Sequence, residues 1–276
     1  MTTLITGVSG TVGSRFARRL LDKHEPFRVL VRTDEQAARW WDAGVDVQVG
    51  DLREPGVAER AVERVSAVVH IAAAFRGVPD TEAWAVNRDA TITLAEAAIK
   101  EGVGRFVFTS TTLTYGPGRG RPNTEDDELL PAGAYPESKR EAELALRAMP
   151  DLGLRIIRLA FVYGEGDPHL KSSLRWASTW PAHQRLHLVH HADASQGLYL
   201  GLHTEGVDGG VFNIADDAPV TAWELHAVNG RPYPVGNAQD LADPWAGIAS
   251  TARARRELGY RPIYPTLYTA IDAGAL

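Results

Sequence analysis

The sequence predicts an α/β fold in which a doubly wound parallel sheet is flanked by helices and joined to a small C-terminal lobe. Short apolar runs alternate with amphipathic helical stretches over the first two thirds of the chain. These runs lack strict alternation, which is typical of parallel strands buried on both faces. Alternating strands and helices form parallel sheets through right-handed crossovers. After Phe161 this alternation of apolar runs and helical stretches ends. We therefore assign residues 1–160 to the sheet, with returning segments near 186–216, and residues 161–276 mostly to the lobe.

Composition narrows the class of protein. The chain has 276 residues, of which 44% are hydrophobic and 23% charged, as expected for a globular domain with a sizeable core. The formal net charge of -6 argues against a nucleic-acid partner, because phosphate binding needs a concentrated basic surface. The chain contains no cysteine, which excludes disulfides, thiolate metal sites and cysteine nucleophiles.

The N-terminus enters the predicted fold directly. A strand begins within a few residues of Met1, and no basic segment followed by an apolar stretch precedes it, so no signal peptide is predicted. Apolar runs of about 18 residues, which a membrane-spanning helix needs, do not occur. We therefore expect a cytoplasmic protein without a membrane partner.

The predicted elements follow one another along the chain. Residues 3–6 form the first strand and residues 11–23 the first helix, since Val12, Phe16 and Leu20 lie on one helical side. The other predicted strands are the apolar runs at residues 27–31, 45–49, 67–71, 105–108 and 154–157. The clearest later helices are predicted at residues 81–100 and 135–148.

A glycine-rich loop at residues 7–13, with the spacing G-x-x-G-x-x-G, connects the first strand to the first helix. In such a loop one glycine permits a tight turn, the next lets a pyrophosphate approach, and the last lets helix and strand pack closely. Free N–H groups at the helix start then face the anion. A plain turn is the alternative, but this position favours a Rossmann-type dinucleotide site. The expected contacts are Gly7, Ser9, Gly10, Thr11, Val12 and Gly13.

The residue after the second strand indicates which coenzyme binds. A carboxylate there accepts hydrogen bonds from a free ribose 2′-OH, whereas a cation suits a 2′-phosphate. Arg32 occupies this position, and Arg15 is a second candidate. The sequence therefore favours NADP(H) over NAD(H). Asp34 lies close by, and Arg32 as an ordinary solvated charge is the alternative.

Tyr135 and Lys139 form a Tyr-x-x-x-Lys pair on a predicted helix. Residues four apart share a helix face, and Pro136 is tolerated only in the first turn, so the helix should begin near Gly133. A nearby lysine cation favours the phenolate and lowers the tyrosine pKa. This pair predicts an acid/base for alcohol–ketone chemistry, although the spacing by itself also arises by chance.

Hydroxyl side chains follow the strand at residues 105–108. Thr109, Ser110, Thr111 and Thr112 occupy its carboxyl end, where ligands bind in open α/β sheets. We expect one of them to contact a substrate carbonyl. A polar turn with capping hydroxyls is the alternative.

These motifs together resemble the extended short-chain dehydrogenase/reductases, also called the NAD-dependent epimerase/dehydratase family, over nearly the whole chain. The resemblance implies a catalytic triad of Thr111, Tyr135 and Lys139, with Ser110 as second choice for the hydroxyl. It also implies that Tyr135 and Lys139 contact the cofactor. The further implied cofactor contacts are Asp51, Leu52, Ala72 and Ala73. Val86-Asn87, the segment from Arg158 to Gly164, the segment from Leu188 to Asp193 and the helix near residues 252–262 also resemble family segments.

Departures from the family pattern bear on the substrate. Thr112 and Leu113 stand where the family's dehydratases carry Asp-Glu, which argues against 4,6-dehydration. Phe161 replaces an asparagine that helps hold nucleotide-sugars, and Leu186 replaces a usual arginine. These departures weaken a pyrophosphate-linked substrate. Four cations could still clamp one: Lys171, Arg175, Arg185 and Arg231.

Histidines and tryptophans crowd the predicted lobe. His183, His187, His190 and His191 invite a metal interpretation. No carboxylate-rich or regular ligand pattern accompanies them, so no metal is predicted. Trp176, Trp180 and Trp223 are most simply core residues, although an apolar substrate wall is an alternative.

The leading functional hypothesis is an NAD(P)H-dependent reductase that interconverts a ketone and a secondary alcohol on a small molecule or sugar-type substrate. The alternative is a nucleotide-sugar epimerase that retains NAD. A non-catalytic, dinucleotide-sensing protein is less favoured, because such relatives often lose the tyrosine or lysine. The resemblance also implies a homodimer formed through the helices at residues 81–100 and 135–148.

Overall fold

The computed structural model describes residues 2–75, 77–234 and 240–276. The strands are β1 Thr3–Thr6, β2 Phe27–Val31, β3 Asp46–Val49, β4 Ala67–His70, β5 Arg105–Thr111, β6 Leu154–Leu159, β7 Phe161–Tyr163, β8 Arg185–Leu186, β9 Leu188–His190, β10 Val211–Ile214 and β11 Val220–Thr221. The helices are α1 Thr11–Asp22, α2 Asp34–Asp42, α3 Val57–Val62, α4 Asp80–Trp84, α5 Ala90–Glu101, α6 Ala134–Arg147, α7 His169–Ser172, α8 Leu174–Ala177, α9 His191–His203, α10 Ala222–Val228, α11 Ala252–Glu257 and α12 Leu267–Asp272.

A seven-stranded sheet in the order β10-β6-β5-β4-β1-β2-β3 organises the molecule. Its pairings are all parallel, which confirms the predicted fold class. The chain runs outward from β1 to β2 and β3, then returns to place β4 on the other side of β1. This reversal creates a crevice at the carboxyl ends of β1 and β4, where open α/β sheets bind ligands.

The sheet is covered on both faces because neighbouring strand residues point in opposite directions. Ile5 belongs to a core cluster with Phe16 and Leu198, from α1 and α9. Leu4 belongs to a second cluster with Leu94 and Leu146, from α5 and α6. Burial of both faces is the reason that the apolar runs in the sequence lack alternation.

The predicted helix at residues 81–100 is interrupted. α4 and α5 are separated by a π-helical segment, Ala85–Asp89, which contains Asn87. The Asn87 side chain accepts from the Ala74 backbone N–H (2.8 Å) and donates to its carbonyl (2.9 Å). π-helical bulges occur frequently at functional sites. The two bonds tie the segment after β4 to this helix, which a hydrophobic pattern does not encode.

The second half of the chain contributes to both parts of the molecule. β10 and α9, from the predicted returning segment, lie against the sheet. A smaller core that includes Tyr163, Leu188 and Leu225 supports two short sheets, β7-β9 and β11-β8. The boundary at residues 160 and 161 stays a prediction. Among the described residues, the structure contains no helix that is both long and apolar enough to cross a membrane.

Candidate active site

One cavity of about 910 Å³ lies at the carboxyl edge of the sheet and extends into the lobe. This volume is near the upper end of the range for small-molecule sites. The residues that were assigned to the catalytic triad and to contacts with the cofactor all line this cavity, although their roles stay predictions. They are Gly7, Ser9, Gly10, Thr11, Val12, Gly13, Arg32, Asp51, Leu52, Ala72, Ala73, Thr111, Tyr135 and Lys139.

The glycine loop fits a dinucleotide phosphate. A Cβ on Gly7 would lie 2.5 Å from the Ala72 nitrogen, and one on Gly13 would lie 2.2 Å from the Gly7 oxygen. A Cβ on Gly10 would meet only the Gly7 oxygen, at 3.5 Å. Two glycines are therefore required by packing, while the middle one leaves room for a ligand. α1 begins without a side-chain cap or an acidic residue in its first turn, so its free N–H groups suit an anion.

Arg32 and Asp51 lie at the end of the cavity near β2 and β3. The Arg32 backbone N–H donates to Gln36 Oε1 at 3.1 Å. The Asp51 carboxylate accepts from Arg53 Nη2 at 2.6 Å and from Arg53 Nε at 3.0 Å. These side-chain hydrogen bonds lower the pKa of Asp51. Asp51 is thus a carboxylate held in place by Arg53, and the Arg32 side chain lies at the same end of the cavity.

Arg15 does not join this group, so the suggestion that it reaches the ribose region is wrong. Its Nη2 lies 2.5 Å from Glu165 Oε2 and 2.8 Å from His191 Nε2. The direction of α1 carries the side chain towards β7 and α9 and away from β2.

The histidines that suggested a metal are only partly brought together. Ligand atoms of Glu165, His190 and His191 lie within 4.8 Å of one another, and Glu165 accepts a hydrogen bond from His191. The Arg15 guanidinium contacts the same atoms. His187 lies elsewhere and bonds to the Asp216 carbonyl. The Arg15 cation already contacts two of the three ligand atoms, those of Glu165 and His191, so the cluster is accounted for as an ion-pair network. The expectation of no metal stays a prediction.

Tyr135 is placed by the start of α6. Gly133 is the N-cap with a φ of 95°, a backbone conformation that favours glycine. Pro136 then falls in the first turn, where its missing N–H does no harm. This agrees with the predicted helix start. Tyr135 and Lys139 consequently share one helix face, and the Tyr135 ring contacts the Phe75 ring edge to face, with 4.8 Å between centroids.

Lys139 is a buried ammonium group. Its side chain is held by a hydrogen bond from Nζ to the Thr109 carbonyl (2.8 Å) and lies over the Phe108 ring at 4.4 Å. Among the described residues, no carboxylate forms an ion pair with it. Burial lowers the pKa of Lys139 to about 7, although the Glu143 charge acts in the opposite direction. Lys139 therefore changes charge near neutral pH.

His70, beneath Lys139, is neutral and fixed in one tautomer. Thr6 Oγ1 accepts from the N–H groups of Ile71 and Ala72 and contacts His70 Nδ1 at 2.7 Å, so it donates there. Thr91 Oγ1 donates to the Asn87 carbonyl and accepts from His70 Nε2 at 2.9 Å. Burial and the Lys139 charge lower the pKa of His70 to about 3. No second cation therefore competes with Lys139.

The hydroxyls expected after the predicted strand lie on β5, which is three residues longer than predicted. Thr111 Oγ1 accepts the Leu113 N–H at 3.2 Å and so retains its own proton for a ligand. Thr109 Oγ1 and Ser110 Oγ are buried without hydrogen-bond partners among the described residues. This arrangement favours Thr111 as the donor to a substrate oxygen, and the choice stays a prediction.

The lobe side of the cavity contains residues that sequence reasoning missed. Phe75, Asp167 and His169 line it beside Phe161, Trp176 and Trp180. Phe75 lies two residues after Ala73, an implied cofactor contact, and this proximity was a usable signal. Asp167 and His169 gave no such signal. Trp223 is 57% exposed and lies outside this lining. Of the four cations suggested as a clamp, Arg185 lines the cavity, whereas Lys171, Arg175 and Arg231 are exposed and lie outside the lining.

Comparisons with known proteins agree with this architecture. Residues 3–215 match the NAD dependent epimerase/dehydratase family. The chain is 27% identical to a UDP-glucose 4-epimerase of Corynebacterium glutamicum over 99% of this chain and 94% of that protein. A short-chain dehydrogenase/reductase superfamily protein from Agrobacterium tumefaciens with bound NAD superposes with a TM-score of 0.82 at 23% identity, covering 99% and 95% of the two chains.

A dTDP-glucose 4,6-dehydratase, DesIV from Streptomyces venezuelae with NAD and TYD bound, superposes with a TM-score of 0.79 at 25% identity, again over 99% and 95% of the two chains. The family match covers most of the chain and includes the glycine loop, the strand-end hydroxyls and the tyrosine–lysine helix. The chain therefore belongs to the NAD dependent epimerase/dehydratase family.

Proposed function

We propose that this protein is an NAD(P)-dependent oxidoreductase that interconverts a ketone and a secondary alcohol on a small molecule. One observation carries the proposal: Tyr135 and Lys139 share a face of α6 and line the same cavity as the glycine loop. A phenol, an ammonium group and a dinucleotide cradle are the groups that carbonyl reduction needs.

The side chains of this chain would handle the proton. When bound, a reduced nicotinamide coenzyme supplies the hydride. Tyr135 gives its proton to the substrate oxygen, and the Lys139 ammonium stabilises the phenolate that remains. Thr111 donates a hydrogen bond to the same oxygen and orients the carbonyl. In the direction of alcohol oxidation the proton returns to Tyr135.

We also propose NADP(H) as the preferred coenzyme, on the basis of Arg32 at the cavity beside β2. Two solved structures with this fold contain NAD, so NAD(H) is the competing choice. A thermal-shift comparison separates the two, because a ligand that binds the native state raises the melting temperature. We expect a larger rise with NADPH than with NADH.

A nucleotide-sugar epimerase with retained NAD is a second candidate, favoured by the UDP-glucose 4-epimerase relative. The same tyrosine and lysine would oxidise and re-reduce one carbon. Purified protein that carries tightly bound NAD and shows no net coenzyme turnover would favour this candidate. Exchange of free NADPH during turnover would favour the reductase.

A homodimer is proposed as well, through α4, α5 and α6. This proposal rests on the resemblance to the family, and Leu144 on α6, which is 51% exposed, is a position where a charge would disturb that surface. Sedimentation of the wild type and of Leu144→Glu tests this assembly, with a dimer expected only for the wild type.

Tyr135→Phe tests the proposed chemistry. We expect the rate of coenzyme-dependent reduction, measured across a panel of small ketones, to fall at least about a hundredfold, because the proton donor is lost. Tyr268→Phe is the matched control, since Tyr268 is 45% exposed on α12, lies outside the cavity lining and donates a hydrogen bond to Glu224 at 3.2 Å. Turnover of Tyr135→Phe near the wild-type rate, in a folded protein, would refute the assigned role.

A further inference from the structure

A continuous series of aromatic rings leads from Tyr135 into the lobe. We call it the aromatic wall, and it consists of Phe75, His169, Phe161, Trp176 and Trp180. Phe75 contacts Tyr135 at 4.8 Å between centroids. Further along, the separation is 5.9 Å between Phe161 and Trp176 and 4.5 Å between Trp176 and Trp180. His169 completes the series, since it lies 5.9 Å from Phe75 and 6.1 Å from Phe161.

The lobe core holds the deeper part of the wall in place. Phe161, Trp176 and Trp180 pack against the cluster that contains Tyr163 and Leu188, while they also line the cavity. Phe75, at the Tyr135 end, is 42% exposed. This apolar surface is preformed and lies beside a candidate proton donor. Binding is favoured when an apolar group of the substrate covers it and removes it from water. Aromatic rings add an edge or stacking preference to this gain.

The charges around the wall do not suit a diphosphate. On the lobe side of the cavity, the described lining contains one lysine or arginine besides Lys139, and this is Arg185. Its Nη2 donates to the Pro244 carbonyl (2.7 Å), and its guanidinium lies over the Trp245 ring. Asp167, also in the lining, adds a carboxylate that accepts the His169 backbone N–H at 2.8 Å. Diphosphates are bound by several cations or N–H donors directed at their oxygens. The Asp167 carboxylate is buried and lies 2.9 Å from His169 Nδ1, so both His169 and Arg185 are already engaged by groups of the protein.

We infer that the substrate is an uncharged molecule in which an aromatic ring is attached next to the ketone or secondary alcohol. The inference rests on the proposed oxidoreductase function and deepens it. With the substrate oxygen at Tyr135, the ring lies against Phe75 and Phe161 and reaches Trp176. Reduction adds a hydride to the carbonyl carbon and a proton to its oxygen, and yields the aryl-substituted secondary alcohol and the oxidised coenzyme.

A matched pair of ketones tests this inference. Acetophenone and cyclohexyl methyl ketone have similar shapes, but only the first carries an aromatic ring. We measure binding by calorimetry and turnover by coenzyme oxidation, using the full chain with NADPH and, separately, NADH. Acetophenone should bind about tenfold more tightly than the cyclohexyl ketone, and UDP-glucose should bind more weakly than either.

Variants locate the preference in the wall. Trp176→Leu and, as a second variant, Phe161→Leu should each reduce acetophenone affinity about fivefold to tenfold while changing cyclohexyl ketone affinity little. Trp223→Leu is the control, because Trp223 is exposed outside the cavity and should have no effect. Melting temperatures identify any variant that is not folded.

The outcomes separate the substrate class from the proposed chemistry. Acetophenone binding that Tyr135→Phe preserves, together with turnover that it abolishes, supports both. Wall-dependent binding without turnover by either coenzyme supports the substrate class and refutes the oxidoreductase function. Equal affinity for the two ketones, or tighter binding of UDP-glucose that is unaffected in folded Trp176→Leu and Phe161→Leu, overturns the inference and leaves the redox proposal intact.

Discussion

Two buried cations near α6, Arg158 and Lys139, differ in whether a carboxylate compensates their charge. Arg158, on β6, donates to both oxygens of Glu143, at 3.1 Å and 2.6 Å, and also to the Tyr115 hydroxyl at 2.9 Å. Burial opposes its charge, but the hydrogen bonds and charge of Glu143 outweigh burial, so the pKa of Arg158 is raised. Lys139 receives only a carbonyl oxygen and an aromatic face, and burial lowers its pKa to about 7.

We interpret Arg158 as a structural cation and propose Lys139 as a functional one. Glu143 lies one turn beyond Lys139 on the same face of α6. Glu143 forms an ion pair with Arg158 of β6, whereas Lys139 lines the cavity and forms no ion pair among the described residues. A paired, hydrogen-bonded ion keeps its charge at all relevant pH values and holds elements together. An unpaired buried ammonium is destabilising by itself, and strongly perturbed groups in clefts are candidates for chemistry.

Glu143→Gln would remove the ion pair with Arg158 and should have the largest effect on stability. It leaves Arg158 buried without a compensating charge, so the free energy of unfolding should fall by about 3–5 kcal/mol. Glu141→Gln, on the same helix, is the control because its partner Arg140 is at the surface; we expect a change below about 1 kcal/mol. Urea denaturation measures both. Similar small losses for the two variants would contradict the comparison.

Lys139→Met removes the unpaired cation and should have the opposite result, a loss of activity without a loss of stability. Turnover should fall about a hundredfold or more because the phenolate loses its cation. Stability at neutral pH should be maintained or increased, since an apolar side chain replaces a buried, unpaired charge. Initial rates and denaturation midpoints are the measurements, with the surface variant Lys100→Met as control. A large loss of stability would show that Lys139 is structural.

The pH dependence of stability sharpens the contrast. Between the folded pKa of about 7 and the unfolded value of about 10.4, the unfolded chain holds a proton on Lys139 that the folded chain lacks. The contribution of Lys139 to stability therefore rises with pH in this window, by about 1.4 kcal/mol per unit at most. Wild-type protein should gain stability relative to Lys139→Met between about pH 7 and pH 9. A constant difference across that range would exclude a lowered pKa.

Arg32→Ala extends the comparison to an exposed cation and should have the smallest effect. Its side chain faces solvent at the cavity edge, so it is not desolvated as Lys139 is, and within the described part of the chain it forms no ion pair of the kind that holds Arg158. We expect NADPH affinity to fall about tenfold while NADH affinity and the melting temperature stay nearly unchanged. Equal losses for the two coenzymes would remove the basis for an NADP(H) preference.

Local patterns predicted the parts of the site that are close together in the chain. The glycine loop, the start of α6 after Gly133, and the pairing of Tyr135 with Lys139 follow from turn chemistry and from helix periodicity. The direction of the Arg15 side chain and the interruption of the helix near Asn87 were not predicted. Both depend on contacts with distant segments, Glu165 in one case and Ala74 in the other.

By itself, the sequence predicted the fold class from the alternation of strands and helices over its first two thirds, and the glycine loop and the tyrosine–lysine pair from spacing within a few residues. Tertiary structure alone decided which buried cation is neutralised, since Glu143 forms its ion pair with Arg158 and not with Lys139. It also decided that Phe75, Phe161 and Trp176, some 100 positions apart at the extremes, form one surface. Burial and pairing are properties of three-dimensional neighbours, and residue spacing along the chain does not specify them.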